Sequence, residues 1–391
     1  MKVCHAFIFF SIKFAGGTSD LMYKICKAQE KTNIKPVVYT GDYNFDNNLA
    51  GKLRGTDFRI FKSIWDSIGF SIMPKLSRMA DKEVPSFDIV HMHVFRTYQN
   101  VILYKKCIKH NIPYVIDAHG AVPYYNKKVF IKKVFDFLWG RKMLRDAKFL
   151  IAETNVGVEE YLGIDPTIRK EKIKVLSPPF DTDEFLNLPE RGKFREEFNI
   201  GSKEEVISFL GRVHYIKGND FLIKAFSKLS ARRNNVRLVI IGSDDGDMEY
   251  CKQLSNNLGV GDKVLFTGFL EGDKKLSALV DSDIVAQMSR SEQGAWAPME
   301  AVLCKTPIVV TRNTGAGEDV LRLDAGYTVN FNEVDKLTDK LEWILDNYDM
   351  AKEKTTLAKA YIEKNLSMNS RIHEYTEIYN ESIDKSLHTG N

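Results

Sequence analysis

The segment that most constrains this chain is Asp281 to Val320, DSDIVAQMSRSEQGAWAPMEAVLCKTPIVVTRNTGAGEDV. Asp283 to Met288 and Pro307 to Thr311 are short apolar runs that read as buried strands, and the apolar spacing of Trp296 to Cys304 suits a helix. Ser289 to Glu292 and a turn-rich Gln293-Gly294-Ala295 join the first strand to that helix. Two acids stand out: Glu292 in the loop and Glu300 about a turn into the helix, so both can face a ligand lying over the helix start. A helix start attracts anions through its free N–H groups and dipole. Two carboxylates there call for a role beyond folding, and carboxylates accept hydrogen bonds from sugar hydroxyls well.

At 391 residues the chain exceeds what one core usually holds, which predicts two domains. Lys35 to Thr40, Asp88 to His93, Tyr114 to Ile116, Phe149 to Ala152 and Ile173 to Leu176 read as strands separated by helical patterns. Val206 to Leu210 and Val236 to Ile241 continue the alternation, which is that of parallel sheets covered on both faces. Ligands of such sheets gather at the carboxyl ends of the strands. Candidate groups fall at those ends: Gly16-Gly17, His91 and His93, Asp117-Ala118-His119-Gly120, and Gly211-Arg212 with Lys217-Gly218. The glycine pair lets backbone approach a phosphate or sugar, while Ser19 or Asp20 can cap the helix that follows.

The motifs together resemble those of a known family. Glu292 and Glu300 with seven residues between them, followed by Thr306-Pro307-Ile308-Val309-Val310 and Thr314-Gly315-Ala316-Gly317-Glu318, resemble the retaining nucleotide-sugar glycosyltransferases of family 4. Gly211-Arg212 with Lys217-Gly218, and Gly268-Phe269 after the strand from Lys263, match two further motifs in the right order. The resemblance implies an α/β chain of the GT-B fold: two Rossmann-like domains with a cleft between them. The implied divisions are 1–187 on the acceptor side, 188–366 for the nucleotide sugar, and 367–391 as a helix crossing back to the first domain.

The same resemblance implies the roles. Arg212 and Lys217 would hold the donor diphosphate, and Glu300 the ribose. Glu292 and the N–H groups of Gln293, Gly294 and Ala295 would hold the donor sugar. His119 would contact that sugar near the reacting carbon, Gly16, Gly17 and Gly211 would lie near the donor, and Gly268 and Phe269 near the base. No cofactor or metal is implied beyond the nucleoside diphosphate sugar itself, UDP- or GDP-linked. The acceptor would be a hydroxyl of a glycan or lipid-linked saccharide in cell-surface polysaccharide or glycoconjugate synthesis. Two departures matter. Glu292-Gln293-Gly294-Ala295-Trp296 replaces the frequent Glu-Gly-Phe-Gly, so the sugar does not carry over, and Leu176 to Phe185 keeps only Asp181 and Phe185 of an Asn-Gly-Val-Asp region.

Rival readings leave their own marks. A catalytically silent GT-B domain that binds a glycan or partner would not need Arg212, Lys217, Glu292 and Glu300 intact. A dinucleotide oxidoreductase would need Gly-x-Gly-x-x-Gly with an acid about 20 residues on. Asp245-x-Asp247 matches the metal motif of a different transferase fold, but the expected role here is to cap the helix beginning near Met248. His91 and His93 share a strand face without a Cys or carboxylate set to complete a metal site.

Charge and cysteine usage bound the setting. A net charge of +4 is too small to argue for nucleic acid, and five scattered cysteines without Cys-x-x-Cys spacing fit a reducing cytoplasm. Lys2 and the apolar run Val3 to Ile12 could pass for a signal peptide, but Lys13 interrupts it and no small-x-small site follows, so a buried first strand is expected. No run approaches the roughly 20 residues of a membrane span. Residues 124–149 interleave lysines and arginines with Phe130, Phe135, Phe137 and Trp139. That pattern suits either packing on a sheet with solvated lysines or a peripheral contact with an anionic membrane surface.

Overall fold

The computed structural model describes residues 1–67, 70–124, 129–294 and 296–384. The chain divides into two compact units, one of Met1–Pro179 joined by the segment from Met368, the other of Phe180–Ser367.

Among the described residues nine strands belong to the first unit: β1 (Lys2–Ala6), β2 (Lys35–Gly41), β3 (Asp57–Phe61), β4 (Trp65–Ser67), β5 (Phe70–Ile72), β6 (Ile89–His93), β7 (Tyr114–Asp117), β8 (Phe149–Ala152) and β9 (Ile173–Val175). Seven form one sheet in the order β3-β2-β1-β6-β7-β8-β9, parallel throughout, while β4 and β5 pair antiparallel apart from it. Because β1 lies between β2 and β6, the chain reverses its direction of growth there, and a crevice opens at such a switch point. The helix Met368–Ile383 packs on helix Gly17–Gln29 and β6 of the same unit.

The second unit repeats the plan with β10 (Glu205–Leu210), β11 (Val236–Ile241), β12 (Val264–Gly268), β13 (Ile284–Gln287), β14 (Ile308–Thr311) and β15 (Tyr327–Val329). Its parallel order is β12-β11-β10-β13-β14-β15, with the switch point between β10 and β13. The central strands are buried along their length, which is why they read as continuous apolar runs. Edge strands β3 and β15 are only partly buried and escape that signal.

Two local expectations need correction. The first strand is buried but ends at Ala6, and Ile12–Ala15 is a helical turn, so the apolar run to Ile12 is a strand followed by a packed connection. Helix Gly17–Gln29 has no side-chain cap. Ser19 instead accepts from Ser11 N at 2.8 Å and donates to Phe9 O at 3.2 Å, bracing the connection because its hydroxyl faces back under the loop.

Candidate active site

In the second unit the predicted residues gather at the carboxyl ends of the strands. After β10 the chain runs through Gly211 and Arg212 into a tight turn, Tyr215–Lys217, and enters helix Asn219–Arg232 at Gly218. Gly218 has φ +67, and a Cβ there would sit 1.9 Å from Met288 O, at the end of β13. This close approach brings the two sides of the switch point together. Lys217 Nζ donates to Glu292 Oε2 at 2.5 Å, and the same oxygen accepts from Gln287 Nε2 at 2.7 Å and Ser289 Oγ at 3.0 Å. Glu292 is thus aimed by three donors from both sides of the reversal.

Sequence reasoning passed over the group that fastens this arrangement. Arg290 forks onto Asp220, with both bonds at 2.8 Å, and lies 3.8 Å from the centroid of the Tyr215 ring. Its backbone N–H donates to Ile216 O at 2.7 Å. The signal was an arginine two residues before Glu292, indistinguishable in one dimension from a surface cation. Lys275 was missed likewise; its ammonium lies 3.0 Å from Glu300 in helix Trp296–Leu303.

Arg212 is half-exposed and paired with Asp245. Asp245 is therefore engaged in an ion pair, and the cap of helix Met248–Asn257 comes from neither member of Asp-x-Asp. Asp244 Oδ1 accepts from Gly246 N at 2.9 Å and Met248 N at 3.2 Å, while Asp247 makes no side-chain cap bond. Gly268 ends β12 with φ +75 and no atom within 4 Å of the point a Cβ would occupy, and Phe269 follows it half-buried. Gln293 and Gly294 are buried, whereas Ala295 lies outside the described residues. A groove of about 440 Å³ lined in part by Arg312, Asn330, Lys336 and Trp343 contains none of the predicted site residues.

In the first unit the switch point is filled with imidazoles. His5 on β1 stands opposite His91 on β6, and His93 follows on the same face. His5 Nδ1 and His93 Nε2 are 3.0 Å apart, as are His93 Nδ1 and His119 Nε2. His119, just past β7 with φ 46, turns its ring inward, leaving its side chain 4% exposed. Its Nδ1 lies 3.2 Å from Asp117 and 3.5 Å from Glu153. A sugar contact by the ring would have to exchange one of these bonds. Gly16 (φ +64) and Gly17 both leave open space where a Cβ would stand.

Two groups here bring ligand atoms within 4.8 Å of one another, His5/His91/His93 and Asp117/His119/Glu153. In the first, five of the six ring nitrogens are already hydrogen-bonded, to one another, Gln29, His119 and Tyr379.

Burial sets the titration of this cluster. It lowers His5 to about 4 and pushes His91 and His93 well below the usual imidazole range, with neighbouring imidazoles adding to the shift. Burial also lifts Asp117 to about 6, partly offset by His119. For His119, burial acts to lower the value, but Asp117 and Glu153 outweigh it and the net direction is up. The signs follow. Three depressed histidines confer stability that is present at neutral pH and lost as the unfolded state takes up their protons below about pH 6.5. Asp117 and His119, both raised, work the other way. Near pH 5 the unfolded chain should bind about two protons more than the folded one, so stability should fall by roughly 3 kcal/mol per unit of acidification. Denaturant midpoints at several pH values check this; a midpoint unchanged between pH 7 and pH 5 refutes it.

The basic segment is held at its base and open at its tips. Helix Val129–Phe135 runs through a π-helical stretch, Asp136–Gly140, into helix Arg141–Asp146. Arg96 grips Asp136 at 2.9 and 2.7 Å, and Tyr124 Oη donates to it at 2.6 Å. Phe135, Met143 and Leu144 are buried, so the packing expectation holds for that side. Phe130 (79%) and Phe137 (81%) are exposed together with Ile131, Val134 and Leu138. Positions 125–128 lie outside the described residues.

Fold and site together define an α/β protein of two Rossmann-like units with paired cations and carboxylates at the strand ends of the second. Residues 15–184 match Glycosyltransferase Family 4 and residues 190–361 match Glycosyl transferases group 1. The chain belongs to this glycosyltransferase family and has its GT-B fold. Among curated relatives, a glycosyltransferase of Methanocaldococcus jannaschii is 29% identical over 219 residues, 55% of each chain. A D-inositol 3-phosphate glycosyltransferase of Corynebacterium jeikeium is 26% identical over 251 residues, 60% of this chain and 58% of the relative, so the matches span somewhat over half of these relatives' length. Anabaena HepE, crystallised with UDP and glucose, superposes with a TM-score of 0.80 over 97% of this chain and 99% of its own at 17% identity, a likeness of fold.

Proposed function

We propose that the chain transfers a sugar from a nucleoside diphosphate sugar to a hydroxyl of a glycan or lipid-linked saccharide, with retention of configuration and without a metal. The observation that carries this reading is the Lys217–Glu292 pair at the switch point of the second unit, fastened by Gln287 and Ser289. In transfer, the bond from anomeric carbon to phosphate oxygen breaks and negative charge grows on the diphosphate. Lys217 and Arg212 supply fixed positive charge there, in place of a divalent ion. The acceptor oxygen bonds to the anomeric carbon on the same face, and its proton passes to the departing phosphate oxygen, so no separate base is needed. Glu292, with Gln293, Gly294 and Ala295, reads the sugar. Glu300, held by Lys275, takes the ribose hydroxyls, Gly268 and Phe269 border the base, and Gly211 lies near the donor; for Gly16, Gly17 and His119 of the first unit the family resemblance implies roles toward the donor.

The complex of HepE with UDP and glucose supports a UDP-linked donor. Calorimetry with UDP and GDP should give binding that Glu300→Gln weakens about tenfold, through loss of charge-assisted hydrogen bonds. Equal affinity for the variant would remove the ribose role. Full turnover in EDTA is expected, and loss of activity that manganese restores would overturn the metal-free mechanism.

For the acceptor side, the exposed Phe130, Ile131, Phe137 and Leu138 beside Lys133, Arg141 and Lys142 favour docking on an anionic membrane, where lipid-linked acceptors reside. No helix of the described residues is long and apolar enough to cross a membrane. Cosedimentation with phosphatidylserine vesicles should be strong at low salt and fall at least about tenfold in Phe130→Ser/Phe137→Ser, given the apolar area withdrawn. Binding indifferent to both changes and to salt would dismiss this surface.

A further inference from the structure

The imidazoles of the first unit form a chain whose direction is fixed at both ends. At one end Gln29 Oε1, an atom that can only accept, lies 2.8 Å from His5 Nε2. The proton of a neutral His5 is therefore on Nε2, and His5 Nδ1 must accept from His93 Nε2 across 3.0 Å. A neutral His93 then has no proton on Nδ1, which must accept from His119 Nε2, again across 3.0 Å. At the far end His119 Nδ1 faces the carboxylate of Asp117 at 3.2 Å, with Glu153 at 3.5 Å, and carboxylates likewise only accept. Both nitrogens of His119 must donate. Four hydrogen bonds among three rings require one ring with two protons, and with His5 and His93 neutral that ring is His119.

We infer that Gln29, His5 and His93 form a one-way hydrogen-bond relay that holds His119 as an imidazolium with its ring turned into the sheet, making His5 and His93 positioning residues for sugar transfer. The last clause rests on the reading of His119 as a donor-side residue; the protonation pattern does not. His5, His91 and His93 are all fully buried, and His119 is closed over by Asp117 and Glu153. Tyr379 bonds His91 at 2.8 Å from the C-terminal helix, the tilted ring of Tyr375 lies 6.2 Å from that of His91, and Tyr161 Oη accepts from Ala118 N at 3.0 Å. The directions of the pKa shifts agree: burial keeps His5 and His93 neutral, while the two carboxylates hold His119 above the usual imidazole range against burial. The consequence is a loop, Asp117 to Gly120, whose charge and orientation are set from behind, through a sheet, by residues that touch no ligand.

The test is nuclear magnetic resonance of the full chain labelled with ¹⁵N-histidine, using long-range proton–nitrogen correlations at about pH 8, where ordinary imidazoles of pKa about 6.5 are neutral. Of the eight histidines, one should show two protonated nitrogens and vanish in His119→Asn, while His5 and His93 should each show a single proton on Nε2. His93→Phe should convert His119 to a neutral ring and lower kcat about tenfold or more, with donor KM changed much less, because the reacting groups are misplaced but the diphosphate site is intact. His93→Gln, whose amide can accept from His119 and donate to His5, should restore both. A wild-type spectrum with one proton on His119 Nδ1 and with His5 and His93 protonated on Nδ1 overturns the relay, whether or not any variant folds. A normal kcat in His93→Phe with the imidazolium lost overturns the positioning role. An absence of any transfer with the imidazolium present overturns the proposed function and leaves the relay standing.

Discussion

Replacing Lys217 by Ala should lower turnover at least about a hundredfold, the typical loss when one fixed donor to developing transition-state charge is removed. The structure explains why the loss should lie in kcat. Lys217 donates to Glu292 at 2.5 Å, so it is already aimed, and its position is set by the short turn Tyr215–Lys217 closed by Gly218. A flexible cation would contribute less, since it would have to be ordered during the reaction. The variant also leaves Glu292 facing only Gln287 and Ser289, so sugar selectivity should loosen alongside the rate. Arg212→Ala should fall in the same range, although its half-exposed ion pair with Asp245 makes it the less rigid of the two. Steady-state kinetics with the donor identified by calorimetry decides the matter; near-normal turnover in Lys217→Ala removes it from the machinery.

Gly218→Ala should destabilise the second unit by more than about 4 kcal/mol, in the range reserved for gross steric conflict. Two costs combine. The residue sits at φ +67, where any L side chain is strained by roughly 1 kcal/mol or more. Its Cβ would lie 1.9 Å from Met288 O, a backbone atom at the end of a central strand, which cannot yield without parting β13 from the turn carrying Lys217. Gly16→Ala is the control: its φ is +64, but nothing stands within 4 Å, so only the backbone term applies, about 1 kcal/mol. Urea unfolding of the two variants should separate them by at least about 2 kcal/mol. Equal midpoints would mean that the close approach at Gly218 relaxes freely.

The acids and cations of the second unit were legible as candidates: cations so spaced are common by chance, and it is their place directly after a strand, with the family motif around them, that singles out Arg212 and Lys217. Their partners were not. Arg290 and Lys275 look like solvated cations until the strands are assembled, and Asp245 resembles half of a metal motif until Arg212 is found against it. Strands β3 and β15 went unread because partly buried edges lack the continuous apolar run of the interior. In the first unit, His91 and His93 could be seen to share a face, but His5 lies 86 residues before His91 and Gln29 on a helix between them.

What the sequence by itself determined is periodicity and chemistry: which segments must be covered on both faces, and which charged groups stand at strand ends. What only the tertiary structure decided is the pairing of those groups across each switch point. Parallel strands that neighbour one another are separated in the chain by whole helices, so the donors that aim Glu292, and the imidazoles that fix the proton count of His119, meet only after the sheets have formed.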